Sequence, residues 1–176
     1  MIFEETPLAG AYLIDMNKLA DERGFFARSF CMREFEEHGL KSVTAQCNVS
    51  YNERKGTLRG MHFQTEPALE TKLVRCTRGA VYDVIVDIRP ESETYLQHFG
   101  VELSQDNHRS LYVPQNFAHG YLTLTDDAEV TYQVSEFYTP GFEGGLRHDD
   151  PALNIAWPEK ITVFSEKDAS WPLLID

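Results

Sequence analysis

KLVRCTRGAVYDVIVDIR, residues 72–89, is the stretch that decides the fold. Two strand-like runs meet at Gly79, a residue that marks a turn between them. In the second run Asp83, Ile85 and Asp87 share one face, because side chains on a strand alternate with a period of two. The pattern recurs outward from there. VTAQCNVS (43–50), RSLYVP (109–114), YLTLT (121–125) and EVTYQVSEFY (129–138) all read as strands. MREFEEHGL (32–40) has the helical spacing of Met32, Phe35 and Glu36 and stops at Gly39, so one short helix is expected. Many short strands separated by turns predict a mainly β chain, built as a sandwich or barrel. With 176 residues and no repeat, low-complexity tract or linker, one domain over 1–176 is expected.

The alternation at 43–50 also bears on function. Val43, Ala45, Cys47 and Val49 face one way, and Thr44, Gln46, Asn48 and Ser50 the other. A solvated strand face usually carries Lys or Glu, and this polar face carries only amides and hydroxyls. That composition favours the wall of a wet cavity, and small barrels of this type enclose ligands.

Lys plus Arg number 16 and Asp plus Glu 28, a net charge of −12. Nucleic acid is therefore a poor partner, since phosphate backbones need a basic face. The charge is uneven: residues 1–89 hold 12 bases and 13 acids, residues 90–176 hold 4 bases and 15 acids. A small anionic ligand belongs with the bases of the first half, while Arg54, Lys55 and Arg78 flank turns and read as surface charges. No run approaches the roughly 20 apolar residues that cross a bilayer. The opening MIFEETPLAG carries acids where an export signal needs bases. Cys31, Cys47 and Cys76 are odd in number and lack CxxC spacing, so they read as reduced, mostly buried thiols of a cytoplasmic protein.

The chemistry concentrates in GTLRGMHFQ (56–64) and YVPQNFAHGY (112–121). His62 and Gln64 share a strand face; Arg59 has the opposite parity, unless a bulge at Gly60 re-aims it. The two segments have the outline of the cupin motifs Gly-x5-His and Pro-x-Gly-x2-His, with Gln64 in place of a second histidine and Asn116 in place of a glycine. His62 and His119 remain, with Glu66 or Glu70 as a third donor. Metal sites ordinarily need three or more strong ligands, so a metal-free cupin with a histidine base fits better. Tyr132 and Tyr138 share strand parity, and a phenol is a usable proton donor. Lys72 is placed to stabilise an oxyanion. Asp83 and Asp87 share a face with Ile85, so one or both of them point inward on the strand reading, where a carboxylate needs a His or Lys partner. The apolar end of SEKDASWPLL (165–174) is expected to dock on the barrel and carry Asp168 inward, where a carboxylate behind a histidine fixes its tautomer. The plainer reading makes Asp168 a helix cap or a surface acid.

DERGFF (21–26), QCNVS (46–50), GTLRGMHFQ, KLVRCTRGAVYDVIVDIR, VPQNFAHGY (113–121), TYQVSEFY (131–138), DDPALNIAWP (149–158) and SEKDASWPLL are similar, in order, to the motifs of the dTDP-4-dehydrorhamnose 3,5-epimerases. The resemblance runs nearly end to end. It implies a cupin-like jelly-roll barrel, assembled as a homodimer and needing neither metal nor redox cofactor. It implies that His62 is the general base, paired with Asp168, that Tyr132 acts from the opposite face of the sugar, and that Lys72 steadies the enolate at O4. It places Arg59, His119 and Tyr138 at substrate-contacting positions and makes Asp83 an inward acid among the substrate-binding residues. It places Arg23, Phe26, Gln46 and Asn48 around the nucleotide and its diphosphate, some of them from the partner chain. Arg28, Asn116, Gln133 and Arg147–His148 depart from the family pattern. The implied reaction inverts C3, C5 or both in a nucleoside-diphosphate 4-keto-6-deoxyhexose, within deoxysugar biosynthesis. The alternatives are a metal-dependent cupin enzyme and a sugar-nucleotide-binding cupin without turnover.

Overall fold

The computed structural model describes residues 1–174, which form thirteen strands and two short helices among them. The first half comprises β1 (Ile2–Glu5), β2 (Tyr12–Asp15), β3 (Leu19–Asp21), β4 (Gly24–Phe26), α1 (Met32–Glu37), β5 (Gln46–Asn52), β6 (Leu58–Gln64) and β7 (Lys72–Arg78). The second comprises β8 (Ala80–Asp87), β9 (His98–Ser104), β10 (Ser110–Val113), β11 (Phe117–Thr123), β12 (Ala128–Val134), β13 (Glu143–Gly145) and α2 (Glu166–Ala169). A six-stranded sheet runs β1-β2-β10-β7-β12-β5 and a five-stranded sheet runs β13-β6-β11-β8-β9. They face each other as a cupin-like jelly roll, and β3 and β4 make a separate exposed hairpin.

The decisive stretch 72–89 supplies one strand to each sheet. Its break at Gly79 has φ 70°, a left-handed conformation that costs glycine little, and a Cβ there would lie 2.2 Å from Thr125 Oγ1. Val74, Cys76, Val81, Ile85, Leu111, Phe117 and Val130 fill the space between the sheets. The back of the five-stranded sheet buries Val84, Val86, Met61 and Ala118 under Leu146 and Leu153. α1 sets Phe35 against Ile14, Leu73 and Tyr112 behind the six-stranded sheet.

β5 reverses the usual arrangement of an alternating strand. Gln46, Asn48 and Ser50 turn inward, and Cys47, Val49 and Tyr51 are exposed on the outer face. The expected cavity wall is therefore present. Three expectations need correction. The strand expected at 129–138 ends at Val134: Ser135 N–H still donates to the Thr71 carbonyl, but beyond it Phe137 N–H donates to Glu136 Oε1, Tyr138 N–H to Gln46 Oε1 and Thr139 N–H to Gln64 Oε1. The strand at 43–50 begins at Gln46 and runs on to Asn52. Of the three thiols only Cys76 is buried, since Cys47 lies on the outward side of β5 and Cys31 caps α1.

Candidate active site

A cleft of about 850 Å³ opens between the two sheets. The six-stranded sheet contributes Gln46 and Asn48 from β5, Lys72 from β7 and Tyr132 from β12. The five-stranded sheet contributes Arg59, His62 and Gln64 from β6 and His119 from β11. His62 and Tyr132 thus enter one cavity from opposing sheets.

β6 carries both Arg59 and His62 into the cleft because it bulges. His119 pairs with His62 and Tyr121 with Arg59, so β6 takes three steps where β11 takes two. Gly60, at the irregularity, has φ 119°, and a Cβ there would stand 2.5 Å from Gly120 Cα. Only glycine fits so close a backbone approach.

Asp168 comes in on α2, whose N-cap Ser165 accepts from the Asp168 N–H. The cap belongs to the helix and the side chain to the site: Asp168 Oδ1 lies 2.6 Å from His62 Nε2, and Oδ2 accepts from Gly60 N–H at 3.3 Å. Burial pushes the Asp168 carboxyl up, but the hydrogen bond and charge of His62, with the Gly60 N–H, outweigh it and leave it below its ordinary value. An ionised carboxylate can only accept, so Nε2 carries the proton and Nδ1 keeps the free lone pair. The His62 side chain is 43% exposed and its partner 4%.

A second pair lies deeper. His119 Nε2 is 3.0 Å from both oxygens of Asp83, with side chains 9% and 0% exposed. Asp87, also fully buried, faces no histidine. Arg89, Ser92 and Thr94 donate to it, and burial, which alone would raise its carboxyl, loses to these bonds and leaves it well below the usual range. It ties down the β8–β9 connection.

Lys72 Nζ sits 3.3 Å from Glu70 Oε1 and donates to the His62 carbonyl oxygen at 3.4 Å. Burial raises the Tyr132 phenol above its ordinary value, Glu70 adds to this and Arg59 opposes it, so the hydroxyl stays protonated at neutral pH. Arg59 donates to Asn52 Oδ1 at 2.7 Å and to the Tyr51 carbonyl, and pairs with no carboxylate among the described residues. A cation with no counter-ion at the cleft wall is a site for an anion. Tyr138 stands at the mouth, 59% exposed, with its hydroxyl donating to Glu143 Oε1 at 2.8 Å. The strand parity expected between Tyr132 and Tyr138 does not hold, since Tyr138 lies beyond β12.

Arg23 and Phe26 are outside this cleft. They sit on the β3–β4 hairpin, Phe26 is 72% exposed, and Arg23 is bound to Asp21. Arg54 and Phe25 are likewise exposed, and Lys55 and Arg78 make surface pairs with Glu159 and Asp127. Asn52, Glu143 and Lys167 belong to the site and were not expected. Lys167 had the clearest signal, as the neighbour of Asp168, and bonds Glu143 at 3.3 Å. Glu70 was expected only as a metal donor. It is instead the counter-ion of Lys72, and no three His, Cys, Asp or Glu side chains are grouped to hold a metal among the described residues.

The departures from the family pattern fall mostly away from the cleft. Asn116 has φ 59°, a left-handed conformation that asparagine tolerates better than most residues. Arg28 pairs with Glu34 and Arg147 with Asp149 at the surface. Gln133, on the face of β12 opposite Tyr132, keeps a buried Oε1 without a partner.

The family model for dTDP-4-dehydrorhamnose 3,5-epimerase matches residues 5–176. A curated protein of that name from Sinorhizobium fredii is 44% identical over 100% of this chain and 91% of its own. The Bacillus anthracis dTDP-4-dehydrorhamnose 3,5-epimerase, solved with TDP and PPi bound, superposes with a TM-score of 0.94 at 42% identity, covering 98% of this chain and 99% of that one. The Legionella pneumophila dTDP-6-deoxy-D-glucose-3,5-epimerase, in complex with dTDP-4-keto-L-rhamnose, gives a TM-score of 0.91 at 38% identity, covering 99% and 94%.

Proposed function

The chain belongs to the dTDP-4-dehydrorhamnose 3,5-epimerase family, and from that premise we propose that its cleft inverts C3 and C5 of a nucleoside-diphosphate 4-keto-6-deoxyhexose. The observation that carries the reading is the opposition of His62 and Tyr132 across one cavity, with Lys72 beside them. The C4 ketone acidifies the hydrogens on C3 and C5. His62 Nδ1 removes one, Asp168 holding the imidazole and balancing the imidazolium that forms. Lys72 stabilises the enolate oxygen. The Tyr132 hydroxyl returns a proton from the other face, which inverts the centre, and each positioned acid or base contributes about 10²–10⁴-fold. Arg59 holds the diphosphate, Gln46 and Asn48 the nucleotide side of the cleft, and His119, fixed by Asp83, and Tyr138 the sugar. The chemistry calls for no metal or redox group.

A homodimer is part of this reading. Val43, Val49 and Tyr51 leave an apolar outer face, 45% to 66% exposed, on the edge strand β5 and the residues before it. The β3–β4 hairpin carries Arg23 and Phe26 away from their own cleft, and in the dimer they complete the partner's nucleotide site. One domain in the cytoplasm is the matching setting, consistent with three free thiols. The test is incubation with dTDP-4-keto-6-deoxyglucose in deuterated water. Deuterium at C3 and C5 is expected; none at either carbon, with the nucleotide bound, would leave a binding protein. Parallel runs with CDP- and GDP-linked ketosugars read the nucleotide preference.

A further inference from the structure

Glu70 is an acid of the cleft for which the epimerase reaction, as set out above, has no use. It precedes β7, its side chain is 12% exposed, and it lines the cavity. Both oxygens are engaged: Oε1 stands 3.3 Å from Lys72 Nζ, and Oε2 accepts from Gln64 Nε2 at 3.0 Å. Gln64 is itself immobile. It is 5% exposed, its Nε2 also reaches the carbonyls of Ala68 and Phe137, and its Oε1 accepts from Thr139 N–H. The amide that stands in the second histidine position of the cupin motif therefore pins a carboxylate beside the cleft lysine.

Resting on the reading of the cleft given above, we propose that Glu70, tethered by Gln64, is a positioning residue of the epimerase. It aims the Lys72 ammonium at the carbonyl oxygen of the bound ketosugar. A flexible lysine with one weak contact, the His62 carbonyl at 3.4 Å, otherwise samples many rotamers. A carboxylate on its flank selects among them. The same negative charge disfavours the phenolate of Tyr132, in line with the upward shift of that phenol, to which burial contributes most and Glu70 next.

The other charges around Tyr132 are accounted for. Arg59 on β6 opposes Glu70. His62 is paired with Asp168 from α2, and His119 on β11 with Asp83 from β8. Lys167 and Glu143 neutralise each other at the mouth. Glu70 is therefore the carboxylate whose loss changes the field at Tyr132 without removing a hydrogen bond from either histidine.

The experiment is Glu70→Gln, which keeps volume and one acceptor and removes the charge. Its kcat for epimerisation is expected to fall about 10- to 100-fold with KM within about threefold, the pattern of a misaimed group acting in the transition state. The basic limb of its kcat–pH profile moves to lower pH. Glu70→Asp keeps the charge on a shorter stem, so its kcat falls while its basic limb stays in place; this variant decides the matter if Glu70→Gln does not fold in a thermal melt. A wild-type kcat in the folded variant, or an unmoved basic limb in Glu70→Gln, overturns the proposal. His62→Ala runs in parallel: if it is dead while Glu70→Gln matches wild type, only Glu70's role fails, whereas full exchange in His62→Ala removes the reading beneath it.

Discussion

His62 with Asp168 and His119 with Asp83 are chemically the same pair, and the barrel builds them in opposite ways. His119 and Asp83 come from β11 and β8, neighbours in one sheet, and both are sealed. His62 meets an acid 106 residues away on a four-residue helix, and its ring is nearly half open. In the sealed pair one nitrogen faces both carboxylate oxygens, which fixes the ring as a donor and shapes the pocket. In the open pair one nitrogen is held and the other is left to the cleft. Exposure, more than the pairing itself, separates the imidazole proposed as the base from the one proposed as a fixed wall.

The sharpest way to break this comparison is His62→Ala. Deuterium exchange into the ketosugar is expected to fall by about 10³–10⁴-fold with the melting curve little changed. Asp168→Asn, which keeps the shape but no longer imposes the tautomer, is expected to lose roughly 10²–10³-fold. If both variants exchange at the wild-type rate, the open pair is not the base. The sealed pair should answer in stability instead. Asp83→Ala is expected to cost about 3 kcal/mol in denaturant unfolding, because it leaves a buried imidazole donor without its acceptor. An Asp83→Ala variant as stable as wild type would show that the sealed pair does not brace the barrel.

The same contrast explains what was legible in the sequence. Asp83 and Ile85 share a face by the period of a strand, and His119 sits across one ladder step from Ile85, so the inward acid of the sealed pair followed from local pattern. The inward polar face of β5 was legible for the same reason. Asp168 was reachable only through the docking of an apolar tail, since nothing local in SEKDAS points to a partner 106 residues upstream. Gly60 marked the place where Arg59 is re-aimed, but the three-to-two register appears only when β6 and β11 are paired. Tyr138 was misplaced because its backbone partner is a glutamine side chain, which no strand period encodes. Glu70 looked like a stray metal donor until Gln64 and Lys72 closed on it from two strands.

The smallest effect is the most specific to the open pair. The folded-state value of Asp168 is lowered, because the bonds from His62 and Gly60 outweigh burial. A depressed carboxylate contributes stability that is present above its unfolded value, near pH 4, and is lost as pH falls through its folded value. Glu34 and Glu143, each pulled down to about 2, titrate in the same acid window and blur any single curve. The difference between wild type and Asp168→Asn removes them, since neither touches Asp168. That difference in unfolding free energy is expected to shrink as the solution is taken from pH 5 down towards pH 2. A difference that stays constant throughout would mean that Asp168 is no better solvated by His62 and Gly60 than by water, and the imidazole would then lack the fixed tautomer on which its role as base depends.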